Sequence, residues 1–139
     1  MRSKRSKVGS KFNRKLESYI RLGCNEGGVD EELREKLVAV KNEVESQLYE
    51  FMRLKFFVKQ NKIELPKPLK KEMANYSRSV HPLYTSIILT LIGLGCLERR
   101  KAKMRVRMYS KRVMVLGSTL RDIQRKVSAF ILTNTQSSP

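Results

Sequence analysis

The stretch Asp30–Val58, DEELREKLVAVKNEVESQLYEFMRLKFFV, decides the fold. Asp30 is a favoured residue type for the cap of a helix, and the acids that follow it suit the positive end of the helix dipole. An apolar seam then repeats in alternating steps of four and three residues, with seven of eight positions apolar: Leu33, Leu37, Val40, Val44, Gln47, Phe51, Leu54 and Val58. This spacing predicts one helix of about 30 residues, some 45 Å long at 1.5 Å per residue.

The two halves of this predicted helix differ in charge. Eight of the 13 acidic residues lie between Glu26 and Glu50, whereas the segment from Arg53 to Lys71 carries seven bases and one acid, Glu64. We interpret the acidic half as facing solvent or a neighbouring subunit, and the basic half as facing a polyanion.

Prolines divide the chain after this helix. Leu65–Pro68 predicts its end, because each proline biases the preceding residue away from helical angles. A short helix is expected over 69–77, and 79–82 is typical of a new helix start with proline in its first turn. Residues 83–97 carry no charge and predict a buried helix.

The segment from Lys101 to Leu116 has two interpretations. As a helix it aligns Arg99, Lys103, Arg107 and Lys111 at a spacing of four, with Met104, Met108 and Val115 opposite. As strands over 104–108 and 113–116 it forms a basic hairpin, like the wing of a winged helix. We favour the helix, because methionine and lysine are good helix formers.

A last helix is predicted to start at Thr119, with Asp122 as the second member of a capping pair. Its apolar face comprises Leu120, Ile123, Val127, Phe130 and Ile131. The fold class expected is therefore all-α: a basic arm over 1–15, a compact helical domain over 16–132 and a polar tail over 133–139. The alternative is a winged-helix-like α+β domain.

A membrane span over 80–97 is the next alternative, since eighteen uncharged residues are followed by bases. His81, Pro82, hydroxyl residues and glycines interrupt the run, and its most apolar part, 87–97, fits a core helix better. We therefore do not expect a membrane partner. The basic N-terminus lacks the apolar region of a signal peptide, which predicts intracellular synthesis and a place in a virion or in host cytoplasm or nucleoid.

The sequence offers no catalytic or metal-binding motif. His81 has no carboxylate or cysteine near it in the sequence, and Cys24 and Cys96 match no metal-ligand spacing, so both cysteines are expected to be free thiols. We therefore expect that the protein is not an enzyme and that it binds no metal ion and no cofactor.

The net charge of +17 and the isoelectric point near 10.3 predict a polyanionic partner. Aromatic residues near the basic clusters are few, which favours a double-stranded nucleic acid held by its phosphates over single strands. We favour double-stranded DNA over RNA as the partner, and a subunit of a ribonucleoprotein is the alternative. The candidate phosphate-binding residues form three clusters: Arg2, Lys4, Arg5, Lys7, Lys11, Arg14 and Lys15; then Lys55, Lys59, Lys62, Lys67, Lys70 and Lys71; then Arg99, Arg100, Lys103, Arg105, Arg107, Lys111 and Arg112.

Self-association as a dimer or a larger assembly is also expected, because the seam of the long helix is heptad-like. The candidate subunit contacts are Leu33, Leu37, Val40, Val44, Phe51 and Phe57.

The layout of a basic arm, MRSKRSKVGSKFNRK, followed by a compact run of helices resembles the all-α coat proteins of filamentous archaeal viruses. The resemblance covers the whole chain in outline. It implies subunits that pair and wrap linear double-stranded DNA, with the seven arm bases on the phosphates. The sequence thus predicts a structural protein that coats or packages DNA, and its rivals are a winged-helix transcription regulator and a basic protein anchored in a membrane by 80–97.

Overall fold

The structure, a computed structural model, describes residues 30–136, with side chains up to Asn134. It contains α1 (Glu31–Gln60), α2 (Lys67–Ile92), a single 3₁₀ turn (Leu94–Cys96) and α3 (Arg99–Gln136). No strand occurs within 30–136, so the all-α prediction is confirmed. The predicted arm lies outside the described residues, and α3 extends four residues into the segment expected to be a polar tail.

Helix α1 begins where the sequence predicts. The carboxylate of Asp30 accepts hydrogen bonds from the backbone N–H groups of Glu32 and Leu33, at 3.1 and 3.3 Å. The helix ends at Gln60, before the prolines, where Lys62 takes a left-handed backbone angle (φ 52°) and the N–H of Ile63 bonds back to the carbonyl of Val58 at 3.0 Å. This turn reverses the chain and starts α2.

The three helices form an up-down-up bundle. Helix α2 runs antiparallel to α1, since Tyr84 donates a hydrogen bond to Glu45 whereas Tyr76, nearer the start of α2, donates to Gln47. Helix α3 runs parallel to α1, with Arg99 beside Asp30 at one end and Gln124 beside Glu50 farther along. The acidic half of α1 therefore lies near the start of α3, and its basic half near the start of α2.

The apolar seam of α1 is the core of this single chain. Leu33, Leu37, Val44 and Phe51 are at most 4% exposed, and they pack against apolar residues of α2 and α3. Val40 is half-buried against the same core. Five of the six residues predicted for subunit contacts thus serve the fold itself, and Phe57, 49% exposed, is left accessible.

The helix starts predicted over 79–82 and at Thr119 are both wrong. Helix α2 continues through Pro82, because Val80, Leu83 and Ile87 keep helical spacing on the core side while the proline ring faces outward. Helix α3 likewise continues through Thr119, whose hydroxyl donates to the carbonyl of Val115 at 3.0 Å instead of capping a new helix.

The segment 101–116 is helical, as favoured, so the strands that a winged helix requires are absent from this part of the chain. Within 30–136, moreover, no helix combines the length and the apolarity needed to cross a bilayer.

The expectation of two free thiols is wrong for Cys96, which is disulfide-bonded. The chain has one other cysteine, Cys24, and it lies outside the described residues.

Candidate nucleic-acid interface

A line of bases runs along the outward face of α2. Lys67, Lys71 and Arg78 are all exposed, and their spacings of four and seven residues place them on one side of the helix. None of the three forms an ion pair with an acidic residue of the described chain. Helix α2 therefore presents a ridge of uncompensated positive charge.

A groove lies on each side of this ridge. The α1–α2 groove, about 870 Å³ in volume, is bordered by four predicted bases, Lys55, Lys59, Lys62 and Lys70, together with Arg78. Its one acid, Glu64, pairs with Lys70.

The α2–α3 groove, about 540 Å³, brings Lys111 and Arg112 of α3 close to α2. Arg78 lines this groove as well as the first, so it connects the bases of α1 with those of α3. The ridge and its two grooves, hereafter the α2 face, join members of the second and third basic clusters in one surface.

Other members of the third cluster lie elsewhere. Arg99, Lys103 and Arg107 line a depression beside the start of α1, together with Asp30 and Glu32, and the Arg99 Nε is 3.1 Å from an oxygen of Asp30. The predicted stripe does not stay on one face, because four residues turn an α-helix by about 400°, which rotates each member some 40° past the one before. Arg100 is exposed and Arg105 is half-buried.

The apolar residues predicted opposite the basic stripe of α3 lie on its surface. Met104 and Val115 are more than 60% exposed and Met108 is 39% exposed. The core side of this helix is formed by Ala102, Val106, Tyr109, Val113, Leu120, Ile123 and Val127. The side opposite the basic stripe is thus not the side that packs in the core.

Two acids on α1 and α2 that line neither groove, Glu45 and Glu72, are engaged by bases of their own. Glu45 forms an ion pair with Lys41 at 2.9 Å, and this hydrogen bond, with a smaller contribution from Tyr84, lowers the pKa of Glu45 and raises that of Lys41. Glu72 binds Lys126 at 2.6 Å, an ammonium that Asp122 also contacts at 3.1 Å, and these bonds raise the pKa of Lys126. These two acids are thereby locally neutralised, and apart from the Lys70–Glu64 pair the bases of the α2 face have no acidic partner among the described residues.

Arg78 is the functional candidate that sequence reasoning missed. It stands alone between apolar and hydroxyl residues, and it belongs to no charge cluster along the chain. Its spacing from Lys67 and Lys71 was the available signal, but that signal holds only if one helix spans all three residues, and the short helix predicted over 69–77 left out Lys67 and Arg78.

The seven arm bases fall outside the described residues, and no position is assigned to them. His81 is exposed. Over 30–136 no three His, Cys, Asp or Glu side chains are grouped in a way that could hold a metal ion.

Comparison with known proteins finds no relative of this chain. No family model matches the chain, and neither a curated protein nor a solved structure matches it. Function has to be inferred from the geometry and charge of these surfaces.

Proposed function

We propose that this protein is a non-enzymatic structural protein that coats or packages double-stranded DNA through non-specific phosphate contacts, as a subunit of a viral coat or nucleocapsid. One observation supports this above all. On the α2 face, bases from three helices gather without acidic partners in the described chain, the Lys70–Glu64 pair excepted.

The chemistry of the face favours phosphates over base edges. Most of its bases are lysines, whose ammonium groups act as mobile point charges and carry no fixed hydrogen-bond pattern for a base edge. Lys67 and Arg78 lie eleven residues apart, about 16 Å along α2, a length over which duplex DNA carries roughly ten phosphate charges. Binding by such a face is strong at low salt and indifferent to sequence.

The arm and self-association complete the proposal. The seven arm bases add a second set of phosphate contacts, and many copies side by side would neutralise a long duplex within a virion or a host nucleoid. A packaging protein needs no catalytic group for this work.

The test is a salt titration with mixed-sequence double-stranded DNA. Affinity of the full chain should fall linearly in a double-logarithmic plot of binding constant against salt concentration, because bound cations are released from the DNA. Neutralising one base of the face, as in Arg78→Gln, should lower affinity equally for every sequence and reduce the slope by about one.

Arg34→Gln is the matched control, since Arg34 is an exposed base of α1 among acidic residues. It makes the same change of charge and should leave the slope unaltered. Equal effects of the two variants would mean that net charge alone binds DNA and that the α2 face is not the interface. A strong preference for one DNA sequence would contradict the packaging role. If nucleic acid that copurifies with the protein is degraded by RNase but not by DNase, the partner is RNA and not DNA.

A further inference from the structure

The α1–α2 groove carries an apolar lining that phosphate binding does not explain. Its floor is formed by core residues, among them Phe51 and Leu65, and its α1 wall by Met52 and Phe56. Met52 is 61% exposed and Phe56 64% exposed. As an i, i+4 pair the two side chains contribute little to the helix itself, and adjacent exposed apolar side chains beside a groove are typical of a binding surface.

We propose that this groove binds an acidic amphipathic helix of a partner protein. A helix lying between α1 and α2 would place its apolar side against Met52, Phe56 and the floor. Its acidic side would meet the rim, where Lys55, Lys59, Lys62, Lys70 and Arg78 face one acid, Glu64. Met52 and Met73 give the surface the flexible, polarisable side chains that adapt to a helix.

The dimensions of the groove suit a short helix. The α1 residues that line it extend from Phe51 to Lys59, about 12 Å along the axis, which matches about two turns of a bound helix. An acyl chain is a poorer occupant, because Phe56 is 64% exposed and an acyl chain beside it would remain largely exposed to solvent. Duplex DNA is poorer too, since its charged backbone gains nothing from the apolar floor.

A second copy of the described chain does not supply a complementary surface. Its acidic surface, the first half of α1, exposes one large apolar side chain, Tyr49, whereas the exposed methionines of α3, Met104, Met108 and Met114, stand among bases. The segment 15–22 has apolar residues at helical spacing, but with two bases to one acid it is cationic. The positive rim repels the basic α3 surface of a second copy and the cationic segment 15–22, and the acidic half of α1 offers the apolar floor only Tyr49.

The probe is a synthetic fluorescent peptide of about 18 residues, with leucines spaced by four, three and four, and glutamate and alanine elsewhere. Its binding to the full chain is followed by fluorescence anisotropy. A control peptide has the same composition, with the leucines distributed around the helix. We expect the control peptide to bind at least tenfold more weakly, a difference of about 1.4 kcal/mol.

The protein variants are Phe56→Ser and Tyr49→Ser, a matched pair on α1 whose wild-type side chains are 64% and 66% exposed. Tyr49 lies outside the groove lining. Phe56→Ser should lower the affinity for the peptide with its leucines on one side about tenfold, and Tyr49→Ser should leave this affinity unchanged. Because both side chains are exposed, the variants should keep the helical circular dichroism of the wild type.

Three outcomes overturn the proposal. Equal affinity for the two peptides would show that charge alone attracts them. A loss of double-stranded DNA affinity in Phe56→Ser would make nucleic acid the occupant. Dissociation of a wild-type oligomer by Phe56→Ser, seen in sedimentation, would make a second copy the occupant. The proposed DNA binding is measured separately and should be unaffected by Phe56→Ser, so either proposal can fail alone.

Discussion

Gln47 is the one polar position in the apolar seam of α1, and its side chain ties the three helices together. Its amide nitrogen donates to the carbonyl of Val113 on α3, and its amide oxygen accepts from the hydroxyl of Tyr76 on α2, both at 3.0 Å. Burial above all, with Glu50 and Glu43 nearby, raises the pKa of Tyr76, so this hydroxyl remains a donor at neutral pH. The exception to the seam is thus an interhelical link that no sequence pattern announced.

Gly117 belongs to the same arrangement. A Cβ atom at this position would stand 3.0 Å from the amide nitrogen of Gln47, closer than ordinary van der Waals contact. Gly117→Ala would gain about 1 kcal/mol of helix propensity. It would also displace a buried hydrogen-bonded amide, at about 1–3 kcal/mol. We expect a net decrease in the free energy of unfolding of about 1 kcal/mol, measured by urea denaturation.

The Gln47→Ala background is the control for this prediction. There the obstructing side chain is gone, and Gly117→Ala should raise the free energy of unfolding by up to about 1 kcal/mol. The same sign in both backgrounds would mean that Gln47 does not oppose a side chain at this position.

At the scale of whole elements, the sequence predicted the helix whose signals are local. A cap, a first turn and a long seam occur together in α1, and its start and length follow from them. In α2 and α3, by contrast, Pro82 and Thr119 indicated helix starts that do not exist. Continuous core-facing spacing on both sides of each residue outweighs the local signal, and that spacing becomes visible only when the partner helices are in place.

Pro82 should therefore cost stability that an alanine would restore. A proline inside a helix lacks the N–H that bonds the carbonyl four residues earlier, and it destabilises the helix by about 3 kcal/mol. Pro82 is exposed, so its removal opens no cavity in the core. We expect Pro82→Ala to raise the free energy of unfolding by about 1–3 kcal/mol, measured in urea.

Pro68→Ala is the matched control, because Pro68 lies in the first turn of α2, where backbone N–H groups have no partner within the helix. Both substitutions loosen the unfolded chain similarly, so their difference isolates the missing hydrogen bond. Equal effects would mean that α2 accommodates Pro82 without cost.

For the molecule as a whole, the positive charge of the surface could be predicted from the sequence, but the positions of the bases on it could not. Helix α3 has two apolar sides, one with Met104 and Met108 and one with Val106 and Tyr109, and spacing alone could not rank them. Packing against α1 and α2 selected the second. That choice also separated Arg99 from Lys111 and brought Lys111 near Arg78, so the candidate site depends on contacts between distant parts of the chain.

With a net charge of +17, we expect the stability of the fold and the proposed DNA binding to respond to salt in opposite directions. Like charges on the α2 face repel one another in the free protein, and raising NaCl from about 20 to 300 mM shortens the screening length from roughly 20 to 6 Å. The midpoint of urea denaturation should therefore rise with NaCl, without reducing agent so that the disulfide of Cys96 stays intact. Over the same range, affinity for double-stranded DNA should fall. If the midpoint instead fell with salt, ion pairs such as Lys126–Glu72 and Lys41–Glu45 would outweigh the repulsion between like charges. The α2 face would then not be the uncompensated positive surface that phosphate binding requires.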